Sequence, residues 1–335
     1  MVPDVTAPAD ERRPLRVSVG HRPPAPMTAY VDQIVGDDLS EVEFTFFMGS
    51  YRARDVDVVH VCDVDAFLGG RDRKPAERVA AATEAADDLR DRGIALVRTV
   101  VGPERPDDEA LAILDRVTST FVALDEVTPT PDPRRTVVIP HAHHRDRFLG
   151  YPRGEQVPGR ILCVARAGVG RAAEGPLKVL SVTDTPDLSL RIAGEEDPTL
   201  ETLLPRAIRR SRGRVTARTE TLSDAEVIRE VDGAELVVLP AIDSLVDQGL
   251  LFTVLSMDRP VLLPDGAAAR RLAEEVGPGW VLTHDGPITA EVLDEAVSEL
   301  RGTERDARPN LAGRGLETTV AAYAEVHRAA TARAV

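Results

Sequence analysis

Several side chains in this sequence could do chemistry. Proton abstraction needs a carboxylate or imidazole within about 3 Å of the acid. His21, Asp63 and Asp65 each stand just after an apolar, strand-like run, in LRVSVGH and DVVHVCDVD. Anion binding needs amides and cations. Asp247, Gln248 and Gly249 open the apolar run GLLFTVLSM. A helix starting there would aim its amino end at a ligand, and the glycine would let the backbone come close. His141, His143 and His144 form a short imidazole cluster, HAHH. A closed metal site takes about four ligands, and no cysteine pair or second histidine-rich segment supplies the others. The expectation is therefore no metal, with either His141 or His143 facing an anion or a hydroxyl in a cleft or the segment standing as a plain surface loop. Asp63-Val64-Asp65 also has DxD spacing, but so short a pattern arises by chance. The ordinary role of either aspartate is a helix cap or a solvated loop residue.

The elements that must hold these groups alternate. Leu15–Val19, Asp57–Cys62, Ile94–Val101 and Thr120–Ala123 read as strands, with helices expected at Met27–Val35, Pro75–Arg92 and Asp107–Val117. The alternation lapses from Pro140 to Pro158, where prolines and glycines stand among charged residues, and resumes at Ile161. A domain boundary is expected near Arg153. Strand-helix alternation on both sides means parallel βα units, an α/β class with doubly wound sheets. A chain of 335 residues is long enough for two such domains. The last segment, Leu311–Arg333, reads as a helix with an apolar stripe through Leu316, Val320, Tyr323 and Val326.

Bulk properties exclude several classes. The net charge of −15 argues against nucleic acid held through its phosphates. No apolar stretch reaches the roughly 18 residues of a membrane span. Residues 1–14 are polar and contain prolines, so a disordered leader rather than a signal peptide is expected. Cys62 and Cys163 each sit in an apolar run, as structural thiols of a cytoplasmic protein do. Rich in alanine and arginine, with lysine only at Lys74 and Lys178, the composition suggests a bacterial source.

Four segments together resemble the GT-B glycosyltransferases, in particular bacterial enzymes that build exopolysaccharides. They are DVVHVCDVDAFL, VVIPHAHHRDRF, RILCVARAGVGRAAEG, and DQGLLFTVLSMDRPVLLP with its RLAEEVGPGWVL tail. The resemblance extends loosely over nearly the whole chain. It implies two Rossmann-like domains, an acceptor domain at 15–153 and a nucleotide-sugar domain at 154–307, with 308–335 crossing back onto the first. It also implies that Asp247, Gln248 and Gly249 face a donor diphosphate, and that Arg166 or Arg171 matches the arginine of the family's RPYKG pattern. The activity it implies is transfer from a nucleotide-sugar co-substrate, with no cofactor, to a polysaccharide or lipid-linked acceptor. Inverting, metal-independent chemistry at the cytoplasmic face, with peripheral membrane contact, is expected. Oligomeric state is left open.

The sequence also departs from that pattern. Glu174 stands where RPYKG has lysine. Leu245 and Thr253 occupy the places of a Glu-x7-Glu pair that many retaining members carry. The segment VRTVVGPERPDD lacks the family's TxHNxxPH character. A non-catalytic relative that binds a sugar nucleotide or a partner enzyme is the alternative. A sugar-nucleotide epimerase of this fold would want a carboxylate cluster at the donor site, and none is evident.

Overall fold

Neighbouring parallel strands need a crossover between them, so alternating strands and helices must lay helices over the sheet faces. The computed structural model describes residues 13–20, 30–35, 42–46, 55–70, 72–102, 107–165, 175–177, 185–195, 198–239 and 245–333. One sheet holds β1 (Leu15–Val19), β2 (Val42–Phe46), β3 (Val58–Val61), β4 (Ala95–Val100), β5 (Thr118–Ala123) and β6 (Thr136–Val138), ordered β2-β1-β3-β4-β5-β6. The other holds β7 (Arg160–Ala165), β8 (Ser189–Gly194), β9 (Val215–Arg218), β10 (Leu236–Val238), β11 (Val261–Pro264) and β12 (Val281–His284), ordered β12-β11-β10-β7-β8-β9. All the described pairings are parallel. Helices α1 (Tyr30–Val35), α2 (Val64–Phe67), α3 (Pro75–Asp91) and α4 (Glu109–Val117) belong to the first half. Helices α5 (Pro198–Arg210), α6 (Asp224–Asp232), α7 (Leu245–Ser256), α8 (Ala267–Val276) and α9 (Ala290–Gly302) belong to the second, and α10 (Leu316–Thr331) closes the chain.

Local chemistry accounts for most of these elements. β3, β4 and β5 are buried at every position, which helices on both faces demand and which unbroken apolar runs satisfy. Several polar exceptions are answered: fully buried Arg98 meets Asp115 and lies over the Phe121 ring at 5.5 Å. Thr118 donates to the Leu114 carbonyl at 2.8 Å, whereas the Thr120 hydroxyl is buried with no hydrogen-bond partner among the described residues. Pro75 opens α3, and Gly93 takes φ +62° just past its end, the left-handed turn that releases a chain from a helix. Asp108 caps α4 by accepting from the amides of Ala110 (3.0 Å) and Leu111 (3.2 Å). Ser223 and Glu226 close a reciprocal capping box on α6.

The last helix breaks the local order, as the sequence leads one to expect. Leu311 is buried in the second core, whereas Tyr323, Val326 and Ala330 are buried in the first. α10 therefore begins at Leu316, because residues 311–315 are used in crossing between the two. It lies against α1 and the sheet, and most of its polar atoms there are matched, His327 Nδ1 being the exception. The hydroxyls of Tyr323 and Tyr30 stand 2.5 Å apart, and Tyr30 Oη is 2.8 Å from Thr99 Oγ1. His60 joins Thr99 at 2.9 Å and His327 at 3.0 Å.

Both cysteines are buried, and burial pushes the Cys163 thiol up to about 12 and Cys62 higher still. Thiols held protonated in this way are poor nucleophiles, which fits a packing role. No described helix is long and apolar enough to cross a membrane.

Removing the Tyr323 side chain should cost about 3–5 kcal/mol, as emptying a large core site does. Tyr323→Phe should cost about 0.5–1.5 kcal/mol, because Tyr30 keeps Thr99 as a partner. Urea unfolding of both variants checks this, and equal midpoints would show that α10 is not held by this contact.

Candidate functional site

In a doubly wound sheet, ligands bind beyond the carboxyl ends of the strands where the strand order reverses. The first sheet reverses between β1 and β3, and the second between β7 and β10. Chain position puts the candidate residues at both places. His21 follows β1 and lies outside the described residues, but Gly20 before it donates to the carbonyl of His60 on β3 at 2.8 Å. Asp63 follows β3. On the second sheet β7 leads to Arg166, and Val238 of β10 pairs with Cys163 of β7. Arg166 and Arg171 themselves lie outside the described residues.

The helix after β10 starts ahead of the Asp247–Gly249 stretch. α7 begins at Leu245, so Gly249 sits on its second turn rather than at its amino end. In an α-helix the amide of residue 249 pairs with the carbonyl of residue 245 and is not offered to a ligand. Gly249 is thus withdrawn as an anion contact, and the first turn runs through Leu245 to Asp247. Asp247 and Gln248 are buried, at 5% and 8% exposure. Leu245 packs on the core of the first sheet, so this turn stands at the junction of the two halves. Thr253 donates its hydroxyl to the Gly249 carbonyl at 2.8 Å.

A cavity of about 230 Å³ opens between the sheets. Leu124 to Glu126, beyond β5, form one wall, and Gln248 and Phe252 of α7 with Arg271 of α8 form the other. Its cations are already engaged. Arg271 meets Glu126 across the opening at 2.5 Å, and Arg314 grips Glu275 through two bonds of 2.6 and 2.7 Å. Small-molecule sites usually span about 300–1,000 Å³, so this space alone is too small for a nucleotide sugar. Residues 166–174 and 240–244 fall outside the described residues.

Asp63 and Asp65 have separate tasks. Asp63 is exposed and caps α2, accepting from the Ala66 amide at 3.0 Å. Asp65 accepts from Arg78 at 2.7 Å, and the same guanidinium reaches Asp108 at 3.2 Å. Asp65 is thereby held as a structural ion-pair partner, and Asp63 is the described carboxylate nearer the carboxyl end of β3. Among the described residues, no group of three or more His, Cys, Asp or Glu side chains is placed to hold a metal ion.

The histidine segment corrects the expectation of an open loop. His141 is 1% exposed and stacks on Phe252, centroids 5.0 Å apart at 12°. Its ring lies between the Gln33 carboxamide (3.0 Å) and the Ala142 carbonyl (2.8 Å). So enclosed, it cannot face a cleft ligand. His143 is half-buried, and its amide donates to the Arg314 carbonyl at 2.9 Å. The His144 amide donates to Ser256 Oγ at 2.8 Å. The segment thus ties α1, α7 and the crossing to α10 into one junction. Sequence reasoning missed Gln33, Arg147, Phe252 and Arg314, which complete it. Arg147 joins Asp32 of α1 and Asp224 of α6, and Arg314 stands 4.6 Å over the Phe252 ring. Only the glycines either side of Arg314 hinted at a special place.

No family model matches the chain. It is 33% identical over 202 residues to the GDP-mannose:glycolipid 4-beta-D-mannosyltransferase of Xanthomonas campestris pv. campestris, covering 60% of this chain and 57% of that protein. The chain thus spans less than two thirds of that relative's length. The structure of Anabaena Alr3699/HepE in complex with UDP superposes with a TM-score of 0.60 at 12% identity, covering 93% of this chain and 98% of that one. The UDP-GlcNAc 2-epimerase from Methanocaldococcus jannaschii gives 0.54 at 10% identity, covering 94% and 99%. The architecture is GT-B: two Rossmann-like domains and a terminal helix returning to the first. Because an epimerase shares it, fold by itself does not choose the reaction.

Burial also fixes a pH response. It pushes His141 down to about 4 and His327 to about 3, and depresses His60 and His144 well below the ordinary range. Unfolded, these imidazoles titrate near about 6.5, so the folded state binds fewer protons below that value. Stability should be full above about pH 6.5 and fall toward pH 4, by at most about 1.4 kcal/mol per pH unit for each histidine. His141→Gln should remove about one proton from that slope. Urea midpoints between those limits measure it, and an unchanged slope would mean that His141 titrates normally.

Proposed function

We propose that the protein is a nucleotide-sugar-dependent glycosyltransferase that moves one sugar onto a glycan or lipid-linked acceptor. The setting is the assembly of an exopolysaccharide or envelope glycan at the cytoplasmic face of the membrane. The observation that carries this reading is the 33% identity over 202 residues to a glycolipid mannosyltransferase. GDP-mannose is accordingly the first donor to test. In this reading residues 15–153 hold the acceptor, 154–307 the donor, and 308–335 join them.

The chemistry needs a base for the acceptor hydroxyl and stabilisation for the departing nucleoside diphosphate. The first turn of α7 and Arg166 or Arg171, at the switch point of the second sheet, are assigned to the diphosphate, with Asp247 and Gln248 at the turn's inner side. His21 and Asp63, at the switch point of the first sheet, are assigned as alternative bases, and Asp65 as the residue that orders the Asp63 loop through Arg78. His143 is retained as an acceptor-side contact. The transfer is assigned as inverting and metal-independent.

A second reading, a sugar-nucleotide binder without transfer, draws on the positions that carry carboxylates in many retaining relatives. Leu245 packs into the first core, and Thr253 is buried with its hydroxyl turned to the helix backbone. Neither position can grip a ribose.

Asp63→Asn separates the roles, because asparagine caps a helix as well as aspartate does but cannot accept the proton. Turnover should fall by about 10²–10⁴ with donor affinity and stability kept. If Asp63→Asn and His21→Ala both turn over normally, neither residue is the base. Arg166→Ala should weaken donor binding by about 1–3 kcal/mol, read by calorimetry. Donor binding without transfer to any glycolipid acceptor would establish the second reading.

A further inference from the structure

The chain carries a net charge of −15, yet residues 206–214, RAIRRSRGR, contain five arginines and no acid. The structure gathers them on one surface. Leu200 and Leu204 turn the apolar side of α5 into the second core. Arg206, Arg209 and Arg210 fall on its outer side, at spacings that make them neighbours on a helix. Arg206, Arg209, Arg210 and Arg212 are exposed and Arg214 is half-buried. None of the five is paired with a described carboxylate. Elsewhere arginines are mostly answered: Arg153 by Asp232, Arg191 by Glu230, Arg301 by Asp187 and Glu235.

The turn that extends the patch is firmly held. Ser211 Oγ donates to the Ile208 carbonyl and accepts from the Val215 amide, both at 3.0 Å. Arg212 takes φ +53° there, a left-handed conformation uncommon for a residue with a side chain, and Gly213 follows at +88°. A helix carboxyl terminus accounts for only about half a charge of attraction, so the dipole of α5 leaves most of this positive charge without a counterpart among the described residues. The arginines beside the amino end of β5 are only half answered, Arg90 and Arg135 meeting Asp87 and Asp132, and they are fewer than those on α5 and its turn.

We propose that the arginine surface at the end of α5 docks the protein on an anionic phospholipid bilayer. Guanidinium groups pair with phosphate in a planar fork, and clusters of cationic side chains on an amphipathic helix recognise acidic leaflets. Ile208, 40% exposed, adds an apolar contact beside them. α5 leaves the carboxyl end of β8 and finishes at the amino end of the edge strand β9. The surface therefore lies at the opposite end of the second sheet from the candidate donor site, and docking there leaves the cleft open. Only the link to a lipid-borne acceptor rests on the glycosyltransferase reading; the docking itself does not.

The test is sedimentation of the full chain with phosphatidylcholine vesicles, with and without about a third of phosphatidylglycerol, at low and high salt. The expected result is binding to the anionic vesicles only, reversed by salt. Replacing Arg206, Arg209, Arg210 and Arg212 together by glutamine should weaken it by at least about tenfold, with the melting temperature and donor affinity unchanged. Equal binding to neutral vesicles, or a variant that binds like the parent, would overturn the proposal. So would binding to soluble polyphosphate without binding to vesicles, which would mark the surface as a site for a free polyanion. No sugar transfer is read, so failure of the catalytic reading leaves this result interpretable.

Discussion

The hydroxyl of Tyr323 against that of Tyr30, buried beneath the last helix, is the contact on which the arrangement of the two sheets depends. Each sheet is assembled from strand-helix units that meet mostly their neighbours, with only a few contacts among the described residues, such as Leu245 on the first core and Arg271 on Glu126, reaching across. α10 chiefly sets how one sheet sits against the other, because its apolar face lies over β3, β4 and β5 of a sheet it does not extend. Seating it there brings polar atoms into a closed core, where an unpartnered one costs about 1–3 kcal/mol. The two tyrosines, Thr99, His60 and His327 answer one another. A helix shifted by one turn would lose several of those bonds together, so one seating is strongly preferred.

From that seating the geometry of the cleft follows. Residues 311–315 must cross between the cores, and Arg314 is placed where it can hold Glu275, the carbonyl of His141 and the face of Phe252 at once. The histidine segment fills the space beneath. Its burial under Phe252 keeps His141 neutral, since a charged imidazole there would lack solvation. The same packing brings Leu124–Glu126, beyond β5, and Gln248, beyond β10, onto one cavity. Chain beyond β5 of the first sheet and α7 beside the second thereby become two sides of one cavity. The Arg271–Glu126 pair bridges that site at its exposed edge, where a pair between half-solvated groups adds about 0–1 kcal/mol and is readily separated.

Much of this was legible in the residues. Runs such as Val58–Val61 and Ala95–Val100 announce buried parallel strands because both faces are covered and alternation disappears. Pro75, Gly93, Asp108 and Ser223 mark helix ends through bonds made within a few residues. Such signals are local, so they survive without knowledge of the rest of the fold. The apolar stripe on the final helix was legible in part, since Tyr323 and Val326 are buried but Leu316 is exposed, and what it covers was implied only by family resemblance. The start of α7 was legible only as a choice among Asp243, Ser244 and Asp247 as capping residues, because its residues are apolar nearly all round and no period marks where the buried helix begins.

What the sequence by itself determined is therefore the alternation of elements, the parallel class of both sheets, and which side chains stand beyond strand ends. Each of those depends on contacts between near neighbours in the chain. Only the tertiary structure decided that His141 is packing rather than chemistry, since residue type says surface while Gln33 and Phe252, 108 and 111 positions away, make it interior. Only it separated Asp63 from Asp65, by bringing Arg78 to one of them. Among the described residues it also left the arginines of α5 without a carboxylate while matching most others, because ion pairing is set by distance in space. A linear sequence does not contain that distance until the last helix has found its place.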